Sequence, residues 1–336
     1  VGSGGHTSFG GFGPFSRVAG LLHDRVIAAE VVLANGTLTT ASITKNTDLF
    51  WALRGAAASY GIVTQWTFAT LPAPPSVISY VVDYSSTTLS ASQIASLMEE
   101  WQRIAISAPD ELSVICTITR STDLVNATFH LEYRGTYYGT KSSFDSLTSN
   151  WSSVLSPGNF TSQAHNWYDG LVALSGPLST SGPQSPTTMF GKSWFTKSAV
   201  TSAQWTSLLN YLGSYGLNSD VGWYIEIDRY GGGVGKLPAD ATPFAHRDAI
   251  LCFQLVSFFY VSVPLPADGL SFLDNMLYAL EPNPQAAYAN YVDATLTPTQ
   301  WKSQYYGAHY HRLSKIKRAV DPHNVFRFPQ SIGLWS

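Results

Sequence analysis

Val1-Gly2-Ser3-Gly4-Gly5-His6-Thr7-Ser8-Phe9-Gly10-Gly11-Phe12-Gly13 opens the chain, and its reading decides how the rest is understood. Glycines at this density let backbone N–H groups come close to a polyanionic or planar ligand, because no side chain intervenes. A plain turn uses the same residues. Spacing alone leaves both readings open, so the choice falls to the residues downstream.

Val26 to Leu33 and Ile62 to Phe68 are apolar runs that predict strands, and Ala34-Asn35-Gly36-Thr37 reads as a tight hairpin turn. Asp48 to Arg54 predicts a short helix entering a Gly55 turn. Through residue 72, glycine-rich turns thus alternate with strands, until Leu71-Pro72-Ala73-Pro74-Pro75 marks a domain boundary. Beyond it a helix presents Ile94, Leu97, Met98, Trp101 and Ile104 on one face, followed by a hairpin of Leu112 to Arg120 with Val125 to Arg134. A second helix carries Trp205, Leu208, Leu209 and Leu212. Strands Gly222 to Tyr230 and Ala249 to Tyr260 follow, then a third helix with Leu273, Met276, Leu277 and Leu280. Runs of strands with helices between them predict an α+β class, with an antiparallel sheet covered by helices on one face. Near the end, Thr297-Pro298 supplies a helix start, and a helix from about His309 to Val320 is closed by Asp321-Pro322. The expected organisation is a first domain over 1–72, a second over 73–285, and a segment 286–336 that returns to the first. No internal repeat is visible.

At 336 residues the chain is long enough for one large or two ordinary domains. Its net charge of -3 and scattered 19 Lys and Arg supply no basic face for nucleic acid or an anionic membrane. A small molecule or carbohydrate is the expected partner, with a monomer as the default state. Only 12% of residues are charged, against 10 Trp and 18 Tyr, a composition common in extracellular proteins that handle sugars. The sequons at Asn35, Asn126, Asn150 and Asn159 point the same way, towards a secreted glycoprotein. Cys116 and Cys252 lie in strand-like runs, so buried free thiols and a bridge both stand open, and neither has metal-ligand spacing. No run of 18 apolar residues exists to span a membrane. The chain begins without Met or a signal peptide, from which processing, cleavage or an incomplete chain is expected.

The glycine-rich opening is succeeded in order by Leu21-Leu22-His23-Asp24, Val31-Val32-Leu33-Ala34-Asn35-Gly36, Asp48-Leu49-Phe50-Trp51-Ala52-Leu53-Arg54-Gly55 and Tyr60-Gly61-Ile62-Val63-Thr64. Together these resemble the vanillyl-alcohol-oxidase-type FAD domain. Tyr288-Ala289-Asn290-Tyr291-Val292-Asp293, then Tyr305-Tyr306-Gly307 and Asp321-Pro322-His323-Asn324-Val325-Phe326, narrow the resemblance to the berberine-bridge-enzyme-like family. Within it the chain looks like the fungal gluco- and chito-oligosaccharide oxidases. The resemblance implies a partial FAD-binding domain plus a substrate domain built on a large antiparallel sheet. It also implies FAD attached through two covalent bonds, to a histidine and a cysteine in an N-terminal part that this chain lacks.

Carried over residue by residue, the resemblance puts Gly2, Ser3, Gly4, Gly5, His6, Gly11, Gly61, Ile62, Val63, Tyr306 and His309 against the cofactor. Gly2 to Gly13 then line the isoalloxazine and ribityl side. His6 falls where negative charge collects on the reduced flavin, and a donor there favours the transition state. An alcohol losing hydride also needs a base for its hydroxyl proton. By resemblance that base is Tyr291, and because a phenol near pKa 10 needs help, Asp228 is its expected partner. Tyr224, Glu226, Asp228 and Tyr230 alternate with Ile225 and Ile227, which puts the polar side chains on one face of a strand. Glu226 and Gln254 match sugar-binding positions, although relatives often carry glutamine at the first, and His309 stands where they usually have asparagine. Tyr224, Trp223, Trp194 and Tyr305 are candidate platforms for sugar rings. His246-Arg247 is read as structural. The implied activity is oxidation of the anomeric C1 hydroxyl of a reducing oligosaccharide to a lactone, with oxygen as acceptor and hydrogen peroxide as co-product. Two alternatives are an oxidase or dehydrogenase of an aromatic or alkaloid alcohol, and a non-catalytic secreted carbohydrate-binding protein.

Overall fold

Alternating apolar and polar residues build ten strands among the described residues, and these assemble into two separate antiparallel sheets. The computed structural model describes residues 2–85, 88–121, 128–177, 187–260, 266 and 268–334. Val1, the Asn126 of one sequon and the expected strand start at Val125 lie outside them.

The chain divides into two compact units. The first comprises Val1–Pro72, Gly231–Ala249 and Gln285–Ser336. It holds a three-stranded sheet in the order β2-β1-β3, with β1 Val26–Val32, β2 Leu38–Ser42 and β3 Ile62–Phe68. The β1–β2 turn is the expected one: the Asn35 Oδ1 accepts the Thr37 N–H at 3.0 Å, and Gly36 takes a φ of 81°. The helices Thr47–Ala56 and His309–Val320 pack in one core with the buried Ala29, Val31, Tyr60, Trp301 and Tyr305. Within it the Tyr60 hydroxyl donates to the Leu313 carbonyl at 2.7 Å.

Two features of this unit differ from expectation. The glycine-rich opening is not all turn, because Ser3–Phe9 is helical. Its Thr7 and Ser8 hydroxyls donate back to the carbonyls of Ser3 and Gly4, each at 2.7 Å, and Thr7 is fully buried, so packing outweighs the poor helix propensity of glycine. Gly231–Ala249, expected in the second domain, clusters with the first. The reason is polar anchoring. Trp51 Nε1 donates to the Asp240 carbonyl at 2.7 Å, and Arg54 Nη2 donates to that of Ala241 at 3.1 Å. Arg247 donates to both Asp24 carboxylate oxygens at 2.6 and 3.1 Å, and His246 Nε2 lies 2.7 Å from the Gln304 carbonyl. His246 and Arg247 are therefore structural.

The second unit comprises Ala73–Tyr230 and Ile250–Pro284. Its seven strands are β4 Val77–Asp83, β5 Ile115–Arg120, β6 Phe129–Tyr137, β7 Asn159–His165, β8 Thr187–Thr196, β9 Gly222–Arg229 and β10 Leu251–Tyr260. They pair in the order β7-β4-β6-β5-β9-β10-β8, antiparallel throughout. The helices Ala91–Ser107, Ser202–Tyr211 and Gly269–Leu280 bury their apolar faces with one side of this sheet in a single core that includes Met98, Trp101, Trp205, Leu208, Trp223, Ile225 and Phe253. Ser90 and Thr201 cap the first two helices through reciprocal bonds with Gln93 and Gln204.

Register assigns the other face. Opposed residues of an antiparallel pair share a side, so the pairs Glu226↔Gln254, Glu226↔Thr117 and Thr119↔Tyr224 gather polar groups away from the helices. The same rule separates the cysteines. Cys116 is opposite Ile227 on the helix side, whereas Cys252 is opposite Asp228 on the polar side. Both are buried and free. A bridge between opposite faces of one sheet has no path, which decides for free thiols.

Candidate functional site

In the first unit, the candidate residues meet where the opening segment touches the C-terminal one. The Ser3–Phe9 helix ends at Gly10 and Gly11, and the N–H groups of Gly11 and Phe12 donate to the Tyr288 hydroxyl at 2.9 and 3.2 Å. Asn290 Nδ2 donates to the same hydroxyl at 3.0 Å and to the His6 carbonyl at 3.2 Å. Tyr291 is half-buried, and its ring meets Tyr288 edge-on, with centroids 4.9 Å apart at 80°. Burial lowers the His6 pKa below its ordinary value, so at neutral pH the imidazole is uncharged and keeps one N–H to donate.

The remaining candidates of this unit are placed less openly. Gly61 is buried where a Cβ would stand 2.5 Å from Val31 Cγ2; Ile62 is exposed and Val63 half-buried. Tyr306 lies in the core beside Trp301, Tyr305 and Tyr310, and burial drives its hydroxyl far above the usual phenol range. His309 Nδ1 is 3.1 Å from the Pro243 carbonyl, and its ring stands edge-on to Trp51.

In the second unit, strand alternation puts Tyr224, Glu226 and Asp228 of β9 beside Thr117 and Thr119 of β5 and Gln254 of β10. Asp228 is 6% exposed, and its carboxyl is held well above the usual carboxylate range, first by burial and then by the charge of Glu226, with Arg134 acting the other way. Burial beside Glu226 thus disfavours the ionised form, which is the form the sequence reading expects in a partner for Tyr291. Arg134 of β6 is a residue that reading overlooks: its Nη2 donates to Glu226 Oε2 at 2.8 Å, and its Nε lies 3.8 Å from Glu132 Oε1. The signal was present, because His130, Glu132 and Arg134 alternate with Phe129, Leu131 and Tyr133.

Three of the four expected aromatic platforms are core residues instead. Trp223 faces the helices, 1% exposed, with Nε1 donating to the Gly216 carbonyl, and Trp194 stacks on Phe253. Tyr305 is 5% exposed and accepts the Asp293 N–H. Tyr224 alone remains on the polar face, half-buried, with burial and the Glu226 charge raising its pKa.

A sequence profile described as "Berberine and berberine like" matches residues 287–333. The chain is 34% identical to the xylooligosaccharide oxidase of Thermothelomyces thermophilus over 99% of its own length and 67% of that protein's. The chain belongs to the berberine-bridge-enzyme-like family of FAD-linked oxidases. Solved structures of the family superpose closely. A chitooligosaccharide oxidase gives a TM-score of 0.88 at 26% identity, covering 100% of this chain and 72% of that one. The glucooligosaccharide oxidase of Acremonium strictum, described with a 6-S-cysteinyl, 8α-N1-histidyl FAD, gives 0.87 at 26%, covering 100% and 72%. The chain thus spans about two thirds of the length of its curated relatives.

The family's FAD can be tested against the residues present. Gly2, Gly4 and Gly5, at and just after the start of the Ser3–Phe9 helix, have no heavy atom within 4 Å of where a Cβ would sit. That leaves a surface bare of side chains beside a half-buried, neutral histidine, which fits the ring side of a flavin. No membrane-spanning helix and no metal-binding cluster occurs among the described residues.

Proposed function

We propose that the intact protein is a secreted FAD-dependent oxidase that converts the anomeric C1 hydroxyl of reducing oligosaccharides to lactones. The observation that carries this reading is the polar row on the second unit's sheet, where carboxyl, carboxylate, amide and phenol groups lie beside one another along two paired strands. Sugars offer hydroxyls to such groups and a flat ring face to an aromatic side chain. An aromatic or alkaloid alcohol would call for an apolar wall instead.

The chemistry that FAD supplies when bound is hydride acceptance, then electron transfer to oxygen with hydrogen peroxide as co-product. Tyr291 takes the C1 hydroxyl proton as the hydride leaves, and Asp228 is the second group assigned to proton handling. Burial and the Glu226 charge favour the protonated form of Asp228, in which it can donate a hydrogen bond to a neighbouring oxygen. His6 donates to the flavin where charge develops, with Gly2, Ser3, Gly4, Gly5 and Gly11 along the ring side and Gly61, Ile62, Val63, Tyr306 and His309 completing the cofactor wall. Glu226 and Gln254 bind sugar hydroxyls, Tyr224 supports a ring, and Arg134 keeps Glu226 in place. Two covalent flavin links, as named for the Acremonium strictum enzyme, are proposed through a histidine and a cysteine outside these 336 residues, because Cys116 and Cys252 are buried in the second unit.

Peroxide release from xylobiose, cellobiose, lactose and chito-oligosaccharides tests the reading. The flavinylated wild type should respond to at least one, and Tyr291→Phe should keep its yellow colour while flavin reduction slows by about a hundredfold or more. Silence of the flavinylated wild type with every sugar would sink the reading, and an intact protein without colour would favour the binding-protein alternative. Secretion predicts N-glycans at the exposed Asn35, Asn150 or Asn159, read as a mass loss on endoglycosidase treatment.

A further inference from the structure

One oxygen joins the two segments that carry the proposed chemistry of the first unit. The Tyr288 hydroxyl accepts N–H groups from Gly11 at 2.9 Å, Phe12 at 3.2 Å and Asn290 Nδ2 at 3.0 Å. The orientation of the Asn290 amide is decided by its second contact. The His6 carbonyl, 3.2 Å away, can only accept, so the nitrogen and not the oxygen must face it. Both amide hydrogens are then used, one on His6 and one on Tyr288.

The turn is shaped to allow this. Gly10 and Gly11 have φ values of 147° and 84°, in the region that favours glycine. A Cβ on Gly10 would lie 2.8 Å from the Tyr288 hydroxyl, and one on Gly11 would lie 2.5 Å from Leu22 Cβ. The Tyr288 ring is 2% exposed and stands against Phe244 at 6.1 Å and Tyr291 at 4.9 Å, while the Tyr291 N–H donates to the Tyr288 carbonyl at 2.9 Å. His6 and Tyr291, which have different tasks in the proposed reaction, are each one contact away from this pair.

We infer that Tyr288 and Asn290 are positioning residues, a hydrogen-bonded clasp that sets the His6 backbone and the Tyr291 ring relative to each other. The inference rests on the proposed roles of His6 and Tyr291. The clasp acts through the two residues it holds, and misplacement of a reacting group by about 1 Å costs on the order of a hundredfold in rate.

The test uses the flavinylated full protein with Tyr288→Phe, which removes the hydroxyl and with it the shared acceptor, and Asn290→Asp, which keeps the shape but cannot donate to His6 or Tyr288. Each variant should lower kcat about tenfold or more while KM changes less than about twofold, and each should shift the His6 ring signals in 15N-histidine NMR, assigned with His6→Gln. Ser90→Ala, at a helix cap in the other unit, serves as a destabilised control with unchanged kcat. If Tyr288→Phe loses stability like the control with kcat intact, or raises KM alone, the clasp is merely structural and the inference falls. The NMR arm does not depend on the sugar. In a wild type inactive on every sugar, shifted His6 signals would retain the clasp and discard only the oxidase reading, whereas unmoved signals would discard the clasp as well.

Discussion

Asp228 shows how a residue legible in sequence acquires a property that sequence cannot display. The alternation Tyr224, Glu226, Asp228 revealed the shared face, but the upward shift of the Asp228 pKa comes from burial and from the charge two residues away. A carboxyl whose folded pKa is raised stabilises the fold below the unfolded value near 3.9, and that contribution is lost as pH climbs through the folded value. Each unit of displacement corresponds to about 1.4 kcal/mol. Asp228→Asn removes the penalty for ionisation, so its stability relative to wild type should increase as pH rises through the range above about 4 in denaturant titrations. A constant difference across that range would show that Asp228 ionises normally. Tyr288 and Asn290 are hidden from sequence for another reason. They precede Tyr291 in a motif read for its base, and their partners are backbone groups about 280 positions away in sequence, which no local pattern records.

At the level of elements, amphipathic helices were legible and single packed contacts were not. Ile94, Leu97, Met98, Trp101 and Ile104 recur at helical spacing and lie within Ala91–Ser107, while the strands β2, β4, β7 and β8 carry patterns too weak to read. The His309–Val320 helix was expected to stop at Asp321-Pro322, and the stop proves to be a buried ion pair. Lys317 Nζ donates to Asp321 Oδ2 at 2.6 Å, to the Ser59 carbonyl at 2.6 Å and to the Phe326 carbonyl at 2.8 Å, while Asp321 also accepts the Val325 and Phe326 N–H groups. Lys317 and Asp321 are both 0% exposed, so removing one partner strands the other's charge. Lys317→Met should cost about 3–5 kcal/mol in urea unfolding, and adding Asp321→Asn should restore part of it. A single variant within about 0.5 kcal/mol of wild type would mean that solvent reaches the pair.

For the whole molecule, the proline cluster at 71–75 was legible as a punctuation mark, and the structure divides its units at Pro72. The excursion Gly231–Ala249 was not, because its anchors are a tryptophan, two arginines and a histidine bonded to residues distant in sequence. Residues 70–73 and 75 are exposed, which makes this stretch the expected site of limited proteolysis. Nicked there, the protein should run as two fragments under denaturing conditions yet elute as one species natively, since Leu53, Tyr60 and their neighbours share a core with Trp301 and Leu313. Two native species after nicking would contradict that shared core.

A unit assembled from three separated stretches also has a timetable. The ribosome delivers every residue of the second unit by Pro284, while the first still lacks Trp301, Tyr305, Leu313 and Ile332. At about 5–20 residues per second, the early strands β1 to β3 wait about 12–50 seconds for the helix that completes their core. During nascent-chain synthesis, Val26, Val31, Phe50 and Trp51 are apolar surface in search of a partner. Yield in a heterologous host should therefore respond to chaperone supply and to translation speed downstream of Pro284, more than to substitutions in the sheet that finishes first.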